Sequence, residues 1–193
     1  MRFTRAELEE FRGREVEDLV GPGLKLLFVG INPGLWTAAV GTHFAHPTNR
    51  FYPALAAAGI SGYELDRVAG MTDADRAHLI ARGVGITNLV RRASARASEL
   101  SREELREGGE RLLRFVAEHR PRVVAVAGIS AYRDAFGERA AVLGRQPETL
   151  DSAARWSGAA LWVVPNPSGL NAHETTATLA AAYAAPAAEA GLD

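Results

Sequence analysis

The stretch Leu26-Leu27-Phe28-Val29-Gly30-Ile31-Asn32-Pro33-Gly34 constrains this chain more than any other. It is an apolar run, too short for a buried helix, that ends in a polar turn flanked by glycines, and it reads as a parallel-sheet strand covered on both faces. Pro33 fixes its own φ and has no N–H, while Gly30 and Gly34 accept backbone geometry that a Cβ would obstruct, so the strand stops at Asn32. Asn32 is thereby held at a carboxyl end, the edge at which open α/β sheets bind ligands.

With 193 residues and 47% hydrophobic content, the chain is expected to form one domain, residues 1–193, around one sizeable core. No apolar stretch reaches transmembrane length, and Met1-Arg2-Phe3-Thr4-Arg5 has no leader-like apolar run, so a soluble cytoplasmic protein is expected. Cysteine is absent, which excludes disulfides, thiolate nucleophiles and cysteine-ligated metal centres. Lys25 is the only lysine and sits at the strand's start, so Schiff-base chemistry is not expected. A net charge of -1 gives no global attraction to a polyanion, and any nucleic-acid binding must rest on local clustering. Arg91, Arg92, Arg96 and Arg102 form such a cluster, opposed up to Arg102 only by Glu99. On charge alone it reads first as a solvated face.

Taken in order, Thr4-Arg5-Ala6-Glu7 is a capping box that opens a peripheral helix over about residues 4–19, ended by Gly21-Pro22-Gly23. The first strand covers about 25–31, and the aromatic, His- and Asn-bearing segment 35–52 is expected to be a binding loop. Helices follow at about 51–58 and 73–82, the second capped by Thr72. A second strand covers 85–90. Ser101-Arg102-Glu103-Glu104 opens a helix to His119, and a strand over 123–127 leads into a helix over 130–136. Residues 137–158 are expected to be irregular. The fourth strand, 161–164, ends in the turn Pro165-Asn166-Pro167-Ser168-Gly169-Leu170-Asn171, and an alanine-rich helix over about 174–190 is interrupted or ended near Pro186. Strands alternating with helices imply a three-layer α/β/α sandwich with a short, mainly parallel central sheet.

Two polar turns thus converge on one sheet edge. Gly30-Ile31-Asn32-Pro33-Gly34, Phe44-Ala45-His46-Pro47 with Asn49-Arg50-Phe51, Gly85-Ile86-Thr87-Asn88-Leu89-Val90, and Asn166-Pro167-Ser168-Gly169-Leu170 resemble, in this order over about residues 24–183, the mismatch-specific uracil/thymine-DNA glycosylase family. The resemblance implies a uracil-DNA glycosylase fold and hydrolysis of the N-glycosidic bond of uracil in DNA, leaving an abasic site in base excision repair. The partner implied is uracil-containing or mismatched duplex DNA, bound by a monomer with no metal or cofactor. A base inside a duplex is out of reach of a side chain, so such an enzyme extrudes the nucleotide at a cost of a few kcal/mol.

The residues can be weighed for that chemistry. Asn32 has the acceptor needed to position an attacking water, although a short polar side chain here also suits a turn. Many relatives carry an acid at this position, and an amide takes no full proton, so the resemblance implies a comparatively slow enzyme. Phe44 offers an aromatic face for a flipped base, worth roughly 1–3 kcal/mol, or else anchors its loop in the core. Gly30, Ile31 and Gly34 would shape the pocket, and Asn88, where the family has lysine or asparagine, suits the donor and acceptor pattern of uracil. Asn166 stands where faster relatives have a histidine beside the departing base. Leu170 resembles the wedge that fills the hole left by the extruded nucleotide. Gly169 would let this turn come close to the partner base, and Ser168 and Asn171 would lie against the DNA backbone. Two departures stand out: Ala172 replaces an arginine that many relatives place two positions beyond the wedge, and Arg91 replaces an aspartate and would contact phosphate instead. Glu99 is the acid nearest the arginine cluster, as a base or, more simply, a surface carboxylate.

His43 and His46 have no carboxylate or third histidine near them in sequence and read as structural rather than metal-binding. Trp36, Trp156 and Trp162 read as packing residues, with Trp36 near the pocket. The first turn lacks dinucleotide-fingerprint spacing, which sets aside a Rossmann oxidoreductase. Two competing readings remain: a non-catalytic damaged-DNA or nucleotide-binding protein on the same fold, and RNA or tRNA as the polymer.

Overall fold

The computed structural model describes residues 3–192. Met1 and Arg2, part of the opening stretch read for a leader, and Asp193 lie outside the described residues.

Five strands, β1 (Leu26–Gly30), β2 (Val84–Asn88), β3 (Val123–Ala127), β4 (Gly144–Arg145) and β5 (Ala160–Val164), form one sheet in the order β2-β1-β3-β5-β4. All neighbours are parallel except β4, which runs antiparallel along the edge. Every residue of β1, β2 and β3 is buried. Their side chains alternate between two cores, as the two-residue period of a strand requires. Leu26 and Phe28 join Phe51, Leu55, Leu79, Leu179 and Tyr183 on one face, under the helices α3 (Phe51–Ala57), α4 (Asp73–Ala81) and α8 (Thr176–Ala190). Leu27 and Val29 join Leu112, Val116, Tyr132 and Phe136 on the other, under α5 (Arg102–His119) and α6 (Ile129–Phe136). Each large apolar side chain so buried contributes about 1.5–3 kcal/mol, which makes the alternation along β1 the determinant of the three-layer sandwich.

The N-cap expected at Thr72 and the capping box expected at Ser101 are present, each hydroxyl accepting from the backbone N–H three residues on, and Asp75 completes a box at Thr72 as well. Four expectations are corrected. The first helix, α1, covers only Arg5–Glu9 rather than 4–19. Its capping box forms, but the chain turns at Gly13 (φ +77°) and continues in extended form, with Glu15 bridging Arg92 and Leu19 bridging Ile86. Five residues make a marginal helix, and Leu19 instead exchanges backbone hydrogen bonds of 2.9 and 2.8 Å with Ile86 while Val16 and Leu19 are buried. The segment 35–52 is not all loop: it opens with a helix, α2 (Leu35–Val40), which Gly41 ends at φ +61°. Residues 137–158 contain β4 and a further helix, α7 (Leu150–Arg155), held by Trp156 packing on Phe136. Pro186 does not end α8, which continues to Ala190. Burial of Pro186 and Ala187 on the core offsets the helix hydrogen bond that the missing N–H cannot make.

Gly108 of α5 lies directly against the backbone of Leu89, just past β2, and an added Cβ would overlap the Leu89 carbonyl. Gly108→Ala gains about 1 kcal/mol of helix propensity but forces a backbone apart, at about 1–3 kcal/mol. Urea unfolding should therefore show a less stable variant. A variant more stable than the parent would mean that α5 does not pack this closely.

Candidate active site

Three asparagines end at the carboxyl edge of the sheet. Asn88 is the last residue of β2, opposite Gly30, while Asn32 and Asn166 each lie two residues beyond β1 and β5. All three line one cleft of about 840 Å³, a size ordinary for small-molecule sites. The end of β3 lies between the two turns. There Gly128 has φ +118°, and a Cβ on it would sit 3.4 Å from Ile31 and 3.8 Å from Asn166 Nδ2.

The Asn32 amide is held by its nitrogen. Nδ2 donates to Ser94 Oγ (2.8 Å) and lies within reach of the carbonyls of Pro33 (3.1 Å) and Arg92 (3.2 Å). Carbonyls only accept, and the Ser94 hydroxyl spends its proton on Arg96 O (2.8 Å), so all three partners demand a donor and a flipped amide would set oxygen against oxygen. The carbonyl end of Asn32 is left to accept. Ser94 arrives because the chain after β2 continues alongside the first turn: Leu89 and Val90 donate to Gly30 O and Ile31 O, and Ser94 N–H donates to Pro33 O. Gly34 bridges Ser94 and caps α2.

Asn166 has the opposite polarity. Its Oδ1 accepts from Ser168 N–H at 3.0 Å, so its nitrogen is the end left to donate. The turn is further closed by Asn171, whose Nδ2 donates to Asn166 O and whose Oδ1 accepts from His173 N–H. Arg50 ties this turn to the loop after α2: its guanidinium donates to Ser168 O (3.3 Å) and Asn171 O (3.2 Å), and its N–H donates to Pro167 O (3.0 Å). Gly169 is pressed against Thr48, where a Cβ would overlap the threonine side chain. Leu170 projects from the tip, 89% exposed.

Asn88 is buried, with Nδ2 2.8 Å from His43 Nδ1. Its Oδ1 occupies the place a Cβ on Gly30 would take, beside the Phe44 ring edge at 3.0 Å from that point. Phe44 stacks on Phe51 at 4.0 Å between centroids and 24° between planes, and it also lines the cleft. Phe44 is thus anchored on the core and also forms part of the cleft wall. It does so at φ +55°, a conformation that costs a non-glycine residue roughly 1–3 kcal/mol.

Arg91 is not brought to the cleft. It pairs with Glu15 at 3.2 Å, and the rest of the arginine cluster is likewise matched, Arg92 by Glu104 and Arg102 by Asp134, with only Arg96 reaching the cleft wall. Glu99 pairs with Arg12 and lies outside the lining. Among the described residues the one carboxylate on the cleft wall is Glu9, bound by Arg12 at 2.8 Å and held below the usual carboxylate range by that guanidinium. Trp36 lines the cleft with its indole N–H donated to Val68 O, and His46 lies edge-on to it. The sequence did not single out Ser94 or Arg50 as site residues, and His43 was read as structural only.

The uracil DNA glycosylase superfamily model matches residues 17–186. Among solved structures, the solution structure of a Methanosarcina acetivorans protein provisionally assigned as a uracil DNA glycosylase superposes with a TM-score of 0.55 at 17% identity, covering 90% of this chain and 98% of that one. At that identity the likeness speaks for the fold.

Two expected outcomes follow from this geometry. Arg50→Ala removes two charge-assisted hydrogen bonds, each worth about 1.5–3 kcal/mol. Amide hydrogen exchange should speed up at Ser168, Leu170 and Asn171 while β1 and β3 stay protected; unchanged exchange in the turn would mean that Arg50 does not hold it. Burial pushes the His43 pKa from 6.5 down to about 4, so the unfolded chain takes up a proton before the folded one does. Stability is then lost as pH falls from about 6.5 towards 4, and His43→Asn should show a shallower acid loss in unfolding titrations. Parallel curves for the two proteins would contradict the assignment.

Proposed function

This chain belongs to the uracil DNA glycosylase superfamily, and we propose that it is a monofunctional, mismatch-directed uracil-DNA glycosylase acting on G·U pairs in base excision repair, of the uracil/thymine type. The observation that carries this reading is the opposed polarity of the Asn32 and Asn166 amides across one cleft, an acceptor on one side and a donor on the other.

That pair suits a reaction in which the base departs ahead of the nucleophile. The C1′–N1 bond breaks with its electrons moving onto uracil, whose O2 gains charge and takes a hydrogen bond from Asn166 Nδ2. Water held by Asn32 Oδ1 adds to the cationic sugar carbon, its proton passes to solvent, and an abasic site remains. Among the described residues the cleft wall supplies no free carboxylate to strip that proton, which supports modest turnover. In this reading Phe44 supplies a face against the extruded base, the exposed Leu170 fills the gap it leaves, Gly169 lets the turn approach the partner base, and Ser168 hydrogen-bonds the strand's phosphate. A lyase step is not expected: the only lysine, Lys25, precedes β1 at the opposite end of the sheet and donates to Gly191 O.

The lack of an unpaired acid on the cleft wall among the described residues also favours a second reading, a binder of damaged DNA without chemistry. One assay separates them. Single-turnover incubation with end-labelled duplexes carrying uracil opposite guanine or adenine should yield alkali-labile sites, faster for G·U. Loss of one donor to a developing charge costs about 10²–10³ in rate, so Asn166→Ala should slow release by about that factor, and Asn32→Ala should bind the duplex but release far less base. Retention of a uracil duplex with no alkali-labile product from the parent protein would support the binder.

A further inference from the structure

We propose that His43 sets base specificity from behind the pocket: its Nε2–H tautomer accepts one Asn88 N–H at Nδ1 and so turns the Asn88 carbonyl oxygen towards the base. A base with a donor at N3, such as uracil or thymine, then finds an acceptor, whereas cytosine, whose N3 is a lone pair, meets oxygen. This inference deepens the proposed glycosylase reading and rests on it.

His43 Nε2 lies 3.0 Å from the Glu17 backbone carbonyl, an acceptor only, so the ring proton sits on Nε2. The ring is buried and uncharged, its pKa driven down by desolvation, so Nδ1 is a bare lone pair. Asn88 Nδ2 at 2.8 Å is then the only end of that amide that can face it. The opposite orientation would set Oδ1 against a lone pair inside a closed site, where an unmade hydrogen bond costs most.

The rest of the surroundings hold this pair in place. Arg111 donates to the Asn88 backbone carbonyl and lies 3.3 Å from Thr87 Oγ1, whose hydroxyl in turn donates to Asp18 at 2.6 Å. The His43 carbonyl accepts from the buried Tyr52 hydroxyl at 2.7 Å, which fixes the backbone that carries the ring. Gly30 leaves room for Asn88 Oδ1 beside the Phe44 ring. The second Asn88 N–H remains available for the base's O4, so the amide matches two adjacent atoms of uracil and mismatches both in cytosine.

The test uses the full chain with His43→Asn and His43→Phe, each checked for a cooperative thermal transition. Free uracil and free cytosine are titrated as inhibitors of uracil release from one single-stranded oligonucleotide, which removes the influence of an opposite base. Asparagine at position 43 offers donor or acceptor and phenylalanine offers neither, so in both variants the uracil-over-cytosine preference should fall by about tenfold. A purely structural role would weaken both bases together and leave the ratio alone; an unchanged ratio in a folded variant overturns the proposal. Long-range ¹H–¹⁵N correlation of the parent protein's histidine rings gives a second readout, independent of activity. A proton on Nε2 and a bare Nδ1 at His43 are expected, and the reverse tautomer overturns the proposal even if uracil is released. A parent protein with the expected tautomer but no uracil release would instead defeat the glycosylase reading.

Discussion

An asparagine side chain is ambiguous by itself, since its two ends differ in role but hardly in shape. In this protein the ambiguity is removed at all three pocket amides by neighbours that can play one role only. Carbonyls and a committed hydroxyl fix the Asn32 nitrogen, a backbone N–H fixes the Asn166 oxygen, and a histidine lone pair fixes one Asn88 N–H. The three amides therefore present two acceptors and two donors in set directions without carrying any charge themselves. Such pre-oriented dipoles need no rearrangement when charge develops, which is how neutral amides can serve the proposed cleavage.

The sheet makes this arrangement possible. Because β1 lies between β2 and β3, and β5 lies beyond β3, the carboxyl ends carrying Asn88, Asn32 and Asn166 form one row with Gly128 in the gap. Close approach is then a matter of what is missing. The absent Cβ atoms of Gly30, Gly108 and Gly169 let Asn88, the Leu89 backbone and Thr48 reach their places. Arg50 joins the loop after α2 to the turn bearing Leu170 across more than a hundred residues of chain, so the two are one unit.

The layered fold was legible because its causes are local: apolar runs bounded by glycine and proline, an N-cap at Thr72 and a capping box at Ser101. The motif residues Asn32, Phe44, Asn88 and Asn166 were legible too, through their order along the chain, and all four line the cleft. What escaped was whatever depends on distant partners. Ser94 lies 62 positions from Asn32, and His43 lies 45 from Asn88; neither leaves a periodic or compositional trace. The 4–19 helix failed for a related reason. Its capping box is a local signal, whereas the pairing of Leu19 with Ile86 is a tertiary one, and the tertiary one prevailed. Arg91 looked free for phosphate because Glu15 is far from it in sequence.

The most direct measurement is a crystal structure of the protein with a duplex carrying 2′-fluoro-deoxyuridine, whose fluorine discourages the cationic sugar and so preserves the bond. The account predicts an extruded uracil with N3–H on Asn88 Oδ1, O2 on Asn166 Nδ2, and a water on Asn32 Oδ1 facing the sugar carbon. A uracil lying outside the cleft, or seated there with any of the three amides reversed, would contradict it.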